Sequence, residues 1–435
     1  MSTLARTLAL LALPIAALAG CDSTSAFEDC TVDAELAPGS RRDRCPASVF
    51  PAEHARAREL FGVVRRGEDV VGGAMVRAEP SPEFASGRAA APATTVTNAA
   101  GVFNGLLTVS LRYDLLVKLD RPGTPDADVL VFRGLAGRYV EPSLEGPLAA
   151  ARAFTARVDV ALDRAVPEGR SLAFFASGVG IQGVTGDLAT GLTVLSGSYA
   201  APTTLHVVEY ETAGGLAKAT AYGTVSVRAD AGVARFATIP LQPIPFFVEP
   251  TLTAKAPAGA SPVTIDVGFS FSRTSGGALA SIPAGGSASL PIIPNAGYTY
   301  RGRATKDGAS LDTGEIAFDV LLPTTEIELP SPPAVLSPRG GEARGVGESL
   351  LVDGDGVFEH VLAPAAGGPT IRIVAGQREA ALPDVTTLGL AAPIGEHVWT
   401  VRSYPTARFA EQLAGLDARR NRPMTVSPPR TIVLR

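Results

Sequence analysis

Strict alternation of apolar and polar residues marks one segment of this 435-residue chain more clearly than any other. Val263, Ile265, Val267, Phe269 and Phe271 fall on one face, and Thr264, Asp266, Gly268, Ser270 and Ser272 on the other. A period of two is the pattern of a half-buried antiparallel strand, with one face on a core and one in water. Shorter versions recur at Leu205–Tyr210, Tyr222–Arg228, Val233–Ile239, Tyr298–Arg303 and Ile316–Leu322, separated by Gly, Pro, Asn and Asp. Nearer the N-terminus, Gly62–Val64, Val70–Val76, Thr94–Thr97, Val102–Leu107 and Tyr113–Leu119 are further strand candidates. Helical spacing is confined to Ala407–Arg419, where Phe409, Leu413 and Leu416 lie four and three apart; with Gly415 inside, a short surface helix and a loop both fit. The expected fold class is all-β, a tandem series of antiparallel β-sandwich domains.

One apolar run stands outside this pattern. Leu8–Ala19 follows a cationic start at Arg6 and ends in Leu18, Ala19, Gly20 and Cys21. It is shorter than the roughly 20 apolar residues of a spanning helix. The tetrad resembles the lipobox of bacterial lipoproteins. That resemblance implies that residues 1–20 are a cleaved signal peptide and that Cys21 is acylated on its thiol and new amino group, so membrane lipid is the expected partner. Each buried methylene is worth about 0.8 kcal/mol and one chain alone binds only marginally, so several chains give a stable anchor. The competing reading is an ordinary signal peptide with an incidental cysteine. Of three cysteines, acylation of Cys21 leaves Cys30 and Cys45 as a candidate disulfide in an oxidising compartment. Closing a loop of about 15 residues is worth on the order of 3 kcal/mol. The expected location is the bacterial cell envelope, with the remaining chain periplasmic or surface-exposed. The outer membrane is the expected anchor site, whereas Asp22 resembles an inner-membrane retention signal.

Residues 21–57 read as a polar, turn-rich tether containing Arg41, Arg42, Asp43 and Arg44. Over 58–165, the order Gly62-Val63-Val64, Val71 to Val76, Thr95 to Phe103 and Tyr113 to Val117 resembles a carboxypeptidase-regulatory-like (prealbumin-like) β-sandwich. In it Gly101 can supply a positive φ before a strand, while Val102, Phe103 and Tyr113 fill the interior. Asn98 stands where that family usually has aspartate, and Glu79–Pro92 is unusually rich in Ala and Pro. Such domains are non-catalytic accessories, so the resemblance implies no active-site residue. Residues 168–330 hold one or two further sandwiches, because the proline-dense Ile239–Pro250 fits either a boundary near 245 or a crossover within one domain. Pro330, Pro332 and Pro333 mark a stiff junction into 331–435, whose length suits an immunoglobulin-like or fibronectin type III sandwich. Glu396–Arg402, with the sole tryptophan Trp399, resembles the late core strand of bacterial fibronectin type III domains, which implies that Trp399 is buried.

Charge and chemistry narrow the function classes. The net charge of −5 gives no footing for a nucleic-acid partner. Gly178-Val179-Gly180-Ile181-Gln182-Gly183 has dinucleotide-fingerprint spacing, yet the following residues carry two more glycines and no helical period, so a glycine-rich turn is expected. No lysine follows a glycine, which removes the standard P-loop, and no Gly-x-Ser-x-Gly elbow is present. His54, His206, His360 and His397 are not at metal-ligand spacing; the pairs Glu359-His360 and Glu396-His397 are read as surface or cross-strand residues. Asp353-Gly354-Asp355-Gly356 and Asp126-Ala127-Asp128 lack the further oxygen ligands of a calcium loop and read as turns. With aromatics at 6%, exposed rings for a sugar platform are scarce. The expectation is a non-catalytic envelope lipoprotein without cofactor or metal, displaying sandwiches for binding, adhesion or scaffolding, with other envelope proteins or surface ligands as partners. Its rival is a metal-dependent hydrolase whose ligands come from separated loops.

Overall fold

A computed structural model describes residues 58–435 apart from 68, 82–90, 109–111, 122–123, 125, 146–153, 178–180, 188–191, 198–200, 214–215, 230–233, 273–274, 416–418 and 420–421. The tether, Cys21, Cys30, Cys45 and His54 lie outside the described residues. Among the described residues the structure is all-β, and its named helical elements are two short 3-10 turns.

In the first sandwich, Arg58–Val63 pairs antiparallel with Val102–Thr108 and parallel with Tyr139–Val140. The facing sheet runs Ala93–Val96, Met75–Pro80, Tyr113–Asp120, Ala127–Leu135. Between them lie Leu60, Phe103, Leu106, Tyr113, Leu115 and Phe132. Gly101 takes φ 73°, and a Cβ there would stand 2.9 Å from the Val64 carbonyl oxygen, so only glycine fits this turn. Asn98 makes the same turn an aspartate would: its Oδ1 accepts from the backbone N–H groups of Ala100 and Val102.

Phe154–Leu162 was expected at the end of that sandwich, but pairs antiparallel with Leu192–Gly197 and parallel with Ala234–Ile239. It therefore belongs to the next unit. The sheet of Arg170–Ser177, Ala201–Ala213 and Leu216–Ala229 is covered on both faces. Ala176, Leu205 and Val207 meet Val158 and Ile239 on one side. Phe175, Val208, Tyr210 and Tyr222 meet Ile265, Val267, Phe269 and Leu311 on the other. The segments before and after residue 245 thus share this central sheet. Thr264–Ser272 keeps its alternation, with Ile265, Val267 and Phe269 buried. Ile316–Leu322 does not: the strand stops at Ala317, and Asp319 turns the chain by accepting from the Leu321 and Leu322 N–H groups, leaving both leucines exposed.

The last unit packs Ala334–Ser337, Ser349–Asp353 and Glu379–Ala381 against Val357–Pro364, Thr370–Ala375, Gly395–Tyr404 and Arg430–Leu434. Trp399 is buried between the sheets with Leu350, Phe358, Leu362 and Ile373. Of the two readings of Ala407–Arg419, helix or loop, the described residues 407–415 fit the loop. The 3-10 turn within them, Ala410–Leu413, packs with Ala407 and Ala414 onto the first sandwich's core.

One sheet of fifteen strands joins all three units. Ala309–Asp312 of the middle unit pairs antiparallel with Met424–Val426. At the other side Thr370–Ala375 pairs parallel with Ala127–Leu135 over five positions, from Thr370 opposite Asp128 to Val374 opposite Phe132. The units follow one another in the chain as first, middle, last, but within the sheet the last lies between the other two.

Ile373 is fully buried opposite Val131 in the parallel ladder. Ile373→Ala is expected to cost about 2–5 kcal/mol. Because both units share that ladder, hydrogen exchange should accelerate together in 113–135 and 357–404; acceleration in 357–404 alone would contradict a shared seam.

Candidate functional site

The parallel ladder creates a seam between the first and last units, and among the described residues most of the buried charge gathers there. At one end Arg121 donates to Asp128 and to Thr370 Oγ1, Arg66 donates to Asp128 at 2.9 Å, and the Gly368 N–H donates to Asp126 at 3.0 Å. At the other end Arg133 donates to Asp114 on its own sheet and to the Ala381 carbonyl at 2.8 Å. Strand alternation then places a carboxylate between. On Val357–Pro364, Phe358, His360 and Leu362 face the last unit's own core, so Val357, Glu359 and Val361 face the seam.

Glu359 is fully buried and ringed by cations. Arg372 Nη1 lies 3.2 Å from Oε1 and Arg402 Nη1 3.4 Å from Oε2, with Arg419 Nη1 at 3.5 Å. The Tyr404 hydroxyl donates to Oε2 at 3.3 Å. Arg402 also faces Glu145 at 3.7 Å, and Arg419 donates to the Ser143 carbonyl, so the cluster ties the end of the first unit to the last. Burial pushes the Glu359 carboxyl up, but Arg402, Arg419 and Arg372 outweigh it and hold the group down at about 2. Charge, not chemistry, is what this arrangement stores: the carboxylate is locked as an anion and is out of reach of solvent.

The histidines are likewise internal. His206 Nε2 lies 2.7 Å from Ser177 Oγ and Nδ1 2.9 Å from the Tyr222 hydroxyl, while its ring stacks on Phe271 at 3.9 Å. A serine, a histidine and an orienting hydroxyl in series form the skeleton of a nucleophile relay. Burial lowers His206 to about 4, which makes it a weak base for that role. His360 stacks over Trp399 with centroids 5.9 Å apart, and burial lowers it to about 4 although Glu359 opposes the shift. His360 stands opposite Val401 and His397 opposite Pro364, so the two Glu-His pairs are not brought together. Both histidines are buried rather than on the surface. Glu209, fully buried in the middle unit, is pushed up by burial but held low by Arg164 and Arg170.

Of the other motifs, Gly178–Gly180 lie outside the described residues, and Ile181–Asp187 continues as a strand paired with Leu192–Gly197 rather than a helix. Asp353 pairs with Arg378 at 2.7 Å, and Asp126 and Asp128 serve the seam. Among the described residues no three His, Cys, Asp or Glu side chains are grouped to hold a metal ion. The seam cluster escaped sequence reading because its members are spread from Ser143 to Arg419.

Fold and site define an all-β protein of three sheet-linked units with internalised ionisable groups. No family model and no curated protein matches the chain. Among solved structures, similarity is found to the TIE protein of Bacillus anthracis, at 14% identity and TM-score 0.16 over 63% of this chain. This chain spans about half the length of that protein, 50%. The minor pilin GBS52 of Streptococcus agalactiae is 13% identical with TM-score 0.17, over 43% of this chain and 97% of its own. A shaft pilin of Lactobacillus rhamnosus GG is 14% identical with TM-score 0.14, over 43% and 98%.

Two outcomes are expected. Glu359→Gln removes the carboxylate that Arg372, Arg402 and Arg419 share, leaving only Arg402 with a second acid, Glu145, and should destabilise the protein by about 3–5 kcal/mol in urea unfolding followed by Trp399 fluorescence. His206 and His360 have folded values near 4, below the ordinary 6.5, so the stability they confer is complete above pH 6.5 and lost as pH falls from 6.5 to 4. For His360 the loss is on the order of 3 kcal/mol. His360→Leu should flatten that part of a stability-against-pH curve, and an unchanged slope would refute the assignment.

Proposed function

We propose that this chain is a lipid-anchored, non-catalytic protein of a bacterial envelope that displays its β-body for binding, adhesion or scaffolding. The observation that carries this reading is the tetrad Leu18, Ala19, Gly20 and Cys21 closing a short apolar run. The body is consistent with it: no described helix is long and apolar enough to cross a membrane, so the anchor in this reading is the acyl group on Cys21. The ionisable groups with large shifts are engaged in packing and ion pairs inside the body, which supports display over turnover. A candidate Cys30–Cys45 disulfide would staple the tether between lipid and body. The membrane-facing partner is lipid; the outer membrane is the proposed site.

Cells fed a clickable palmitate analogue should label the wild-type protein and fractionate it with membranes. Cys21→Ser should abolish label and membrane association together. A Cys21→Ser protein that keeps its label would refute the lipid anchor. Protease treatment of intact cells then separates surface display, seen as loss of the last unit, from a periplasmic position, seen as protection until lysis.

A further inference from the structure

Two turns of the middle unit each present a pair of large apolar side chains to solvent. Phe246 and Phe247 lie in the proline-rich segment before Thr251–Lys255, and Leu321 and Leu322 lie in the turn before Thr324–Glu328. Those two strands pair in parallel, Thr251 opposite Thr324, and the Thr251 N–H donates to the Pro323 carbonyl at 2.9 Å. Both turns therefore enter the same end of one ladder. Phe246 is 68% exposed and Leu321 67%, against 1% for Leu252 and Ile327 in the strands that follow. The backbone of each turn is nonetheless fixed. Phe247 pairs with Pro291, the Ile292 N–H donates to the Phe246 carbonyl, and Asp319 Oδ1 accepts from the Leu321 N–H. Pro245 and Pro323, both exposed, extend the apolar surface.

Exposed apolar surface of this kind marks contact with protein or with lipid. Three observations favour lipid. Side chains two-thirds exposed project beyond their surroundings, whereas protein interfaces centre on pockets that receive anchor residues. The chain ahead of the described body, residues 21–57, spans about 120 Å when extended, and about 70 Å if residues 30–45 are closed off by the candidate disulfide. The fifteen-strand sheet is no more than about 70 Å across at about 4.8 Å per strand, so a tether starting on the first unit still lets the middle unit touch the bilayer. Charge is balanced rather than basic: the Lys218 ammonium lies 4.7 Å from the Phe247 ring centroid, while Glu249 and Asp319 are exposed on the same two turns. We propose that the Phe246-Phe247 and Leu321-Leu322 turns insert together into the interfacial layer of a neutral phospholipid bilayer, with Lys218 at headgroup level. The proposal rests on the lipid-anchored reading above, which brings the bilayer within reach, and adds which face meets it.

The test puts a tryptophan at each tip and asks whether lipid reaches it. Full-chain Phe246→Trp, Leu321→Trp and, outside the patch, Ile394→Trp are mixed with excess phosphatidylcholine vesicles. The vesicles are plain or carry brominated acyl chains, which quench tryptophan on contact. Native Trp399, 1% exposed, supplies an unquenched background. The added emission of Phe246→Trp and Leu321→Trp should fall about twofold or more in brominated vesicles, in high salt as in low, because the contact is apolar. Ile394→Trp, at a site 74% exposed in the last unit, should not change. Repeating the series on chains that also carry Cys21→Ser separates the two readings. Quenching at the tips without Cys21 supports the patch whatever becomes of the anchor, and an acylated, vesicle-bound protein with unquenched tips overturns the patch alone. Equal quenching at Ile394→Trp overturns the proposal, as does a concentration-dependent dimer that shields the tips in the absence of vesicles, which would assign the face to a second copy of the chain.

Discussion

The rest of the structure depends on the parallel ladder between Thr370–Ala375 and Ala127–Leu135. Ala127–Leu135 is apolar on both faces: Leu130 and Phe132 enter the first sandwich's core, while Val129 and Val131 enter the last unit's core. A strand of that kind cannot end a sheet in water, because its open edge and second apolar face would recruit other chains. The last unit supplies the missing neighbour and the missing cover at once. In return it places Val357, Val374 and Tyr404 in the first unit's core. Neither unit is complete by itself.

The charges along the seam fix how the units meet. Removing a carboxylate and three guanidinium groups from water is costly, and buried ion clusters are weak sources of net stability. Their value here is geometric. Arg121 reaches Thr370 and Arg133 reaches the Ala381 carbonyl across the seam, contacts that a slip of one residue in the ladder would break. Apolar burial holds the units together; the ion pairs select one alignment among those that burial alone would allow.

Features set by short-range pattern were legible in the sequence. The alternation at Val263–Ser272 and the left-handed turn at Gly101 each follow from a few neighbouring residues, and the burial of Trp399 agrees with what the resemblance of its strand implied. What joins distant segments was not. Val129-Leu130-Val131-Phe132 carries the one available signal, an unbroken apolar run of the kind found in strands covered on both faces. That run predicts a second cover without saying which segment provides it. Glu359 next to His360 reads as a surface pair until strand alternation sends one to the seam and the other to the core. The spacing at Phe409, Leu413 and Leu416 fits a helix or a loop, and packing of Ala407, Ala410 and Ala414 against the first sandwich selects a tight turn.

A chain whose sheet order differs from its sequence order has a particular folding problem. Ala127–Leu135 is made early, but its partner strand Thr370–Ala375 and the cover provided by Leu350, Phe358 and Trp399 are made near the end. Until residues 331–435 are present, the first sandwich carries an exposed apolar strand. The middle unit also lacks the Met424–Val426 neighbour of Ala309–Asp312. Contacts of such long sequence separation form slowly and leave intermediates open to association.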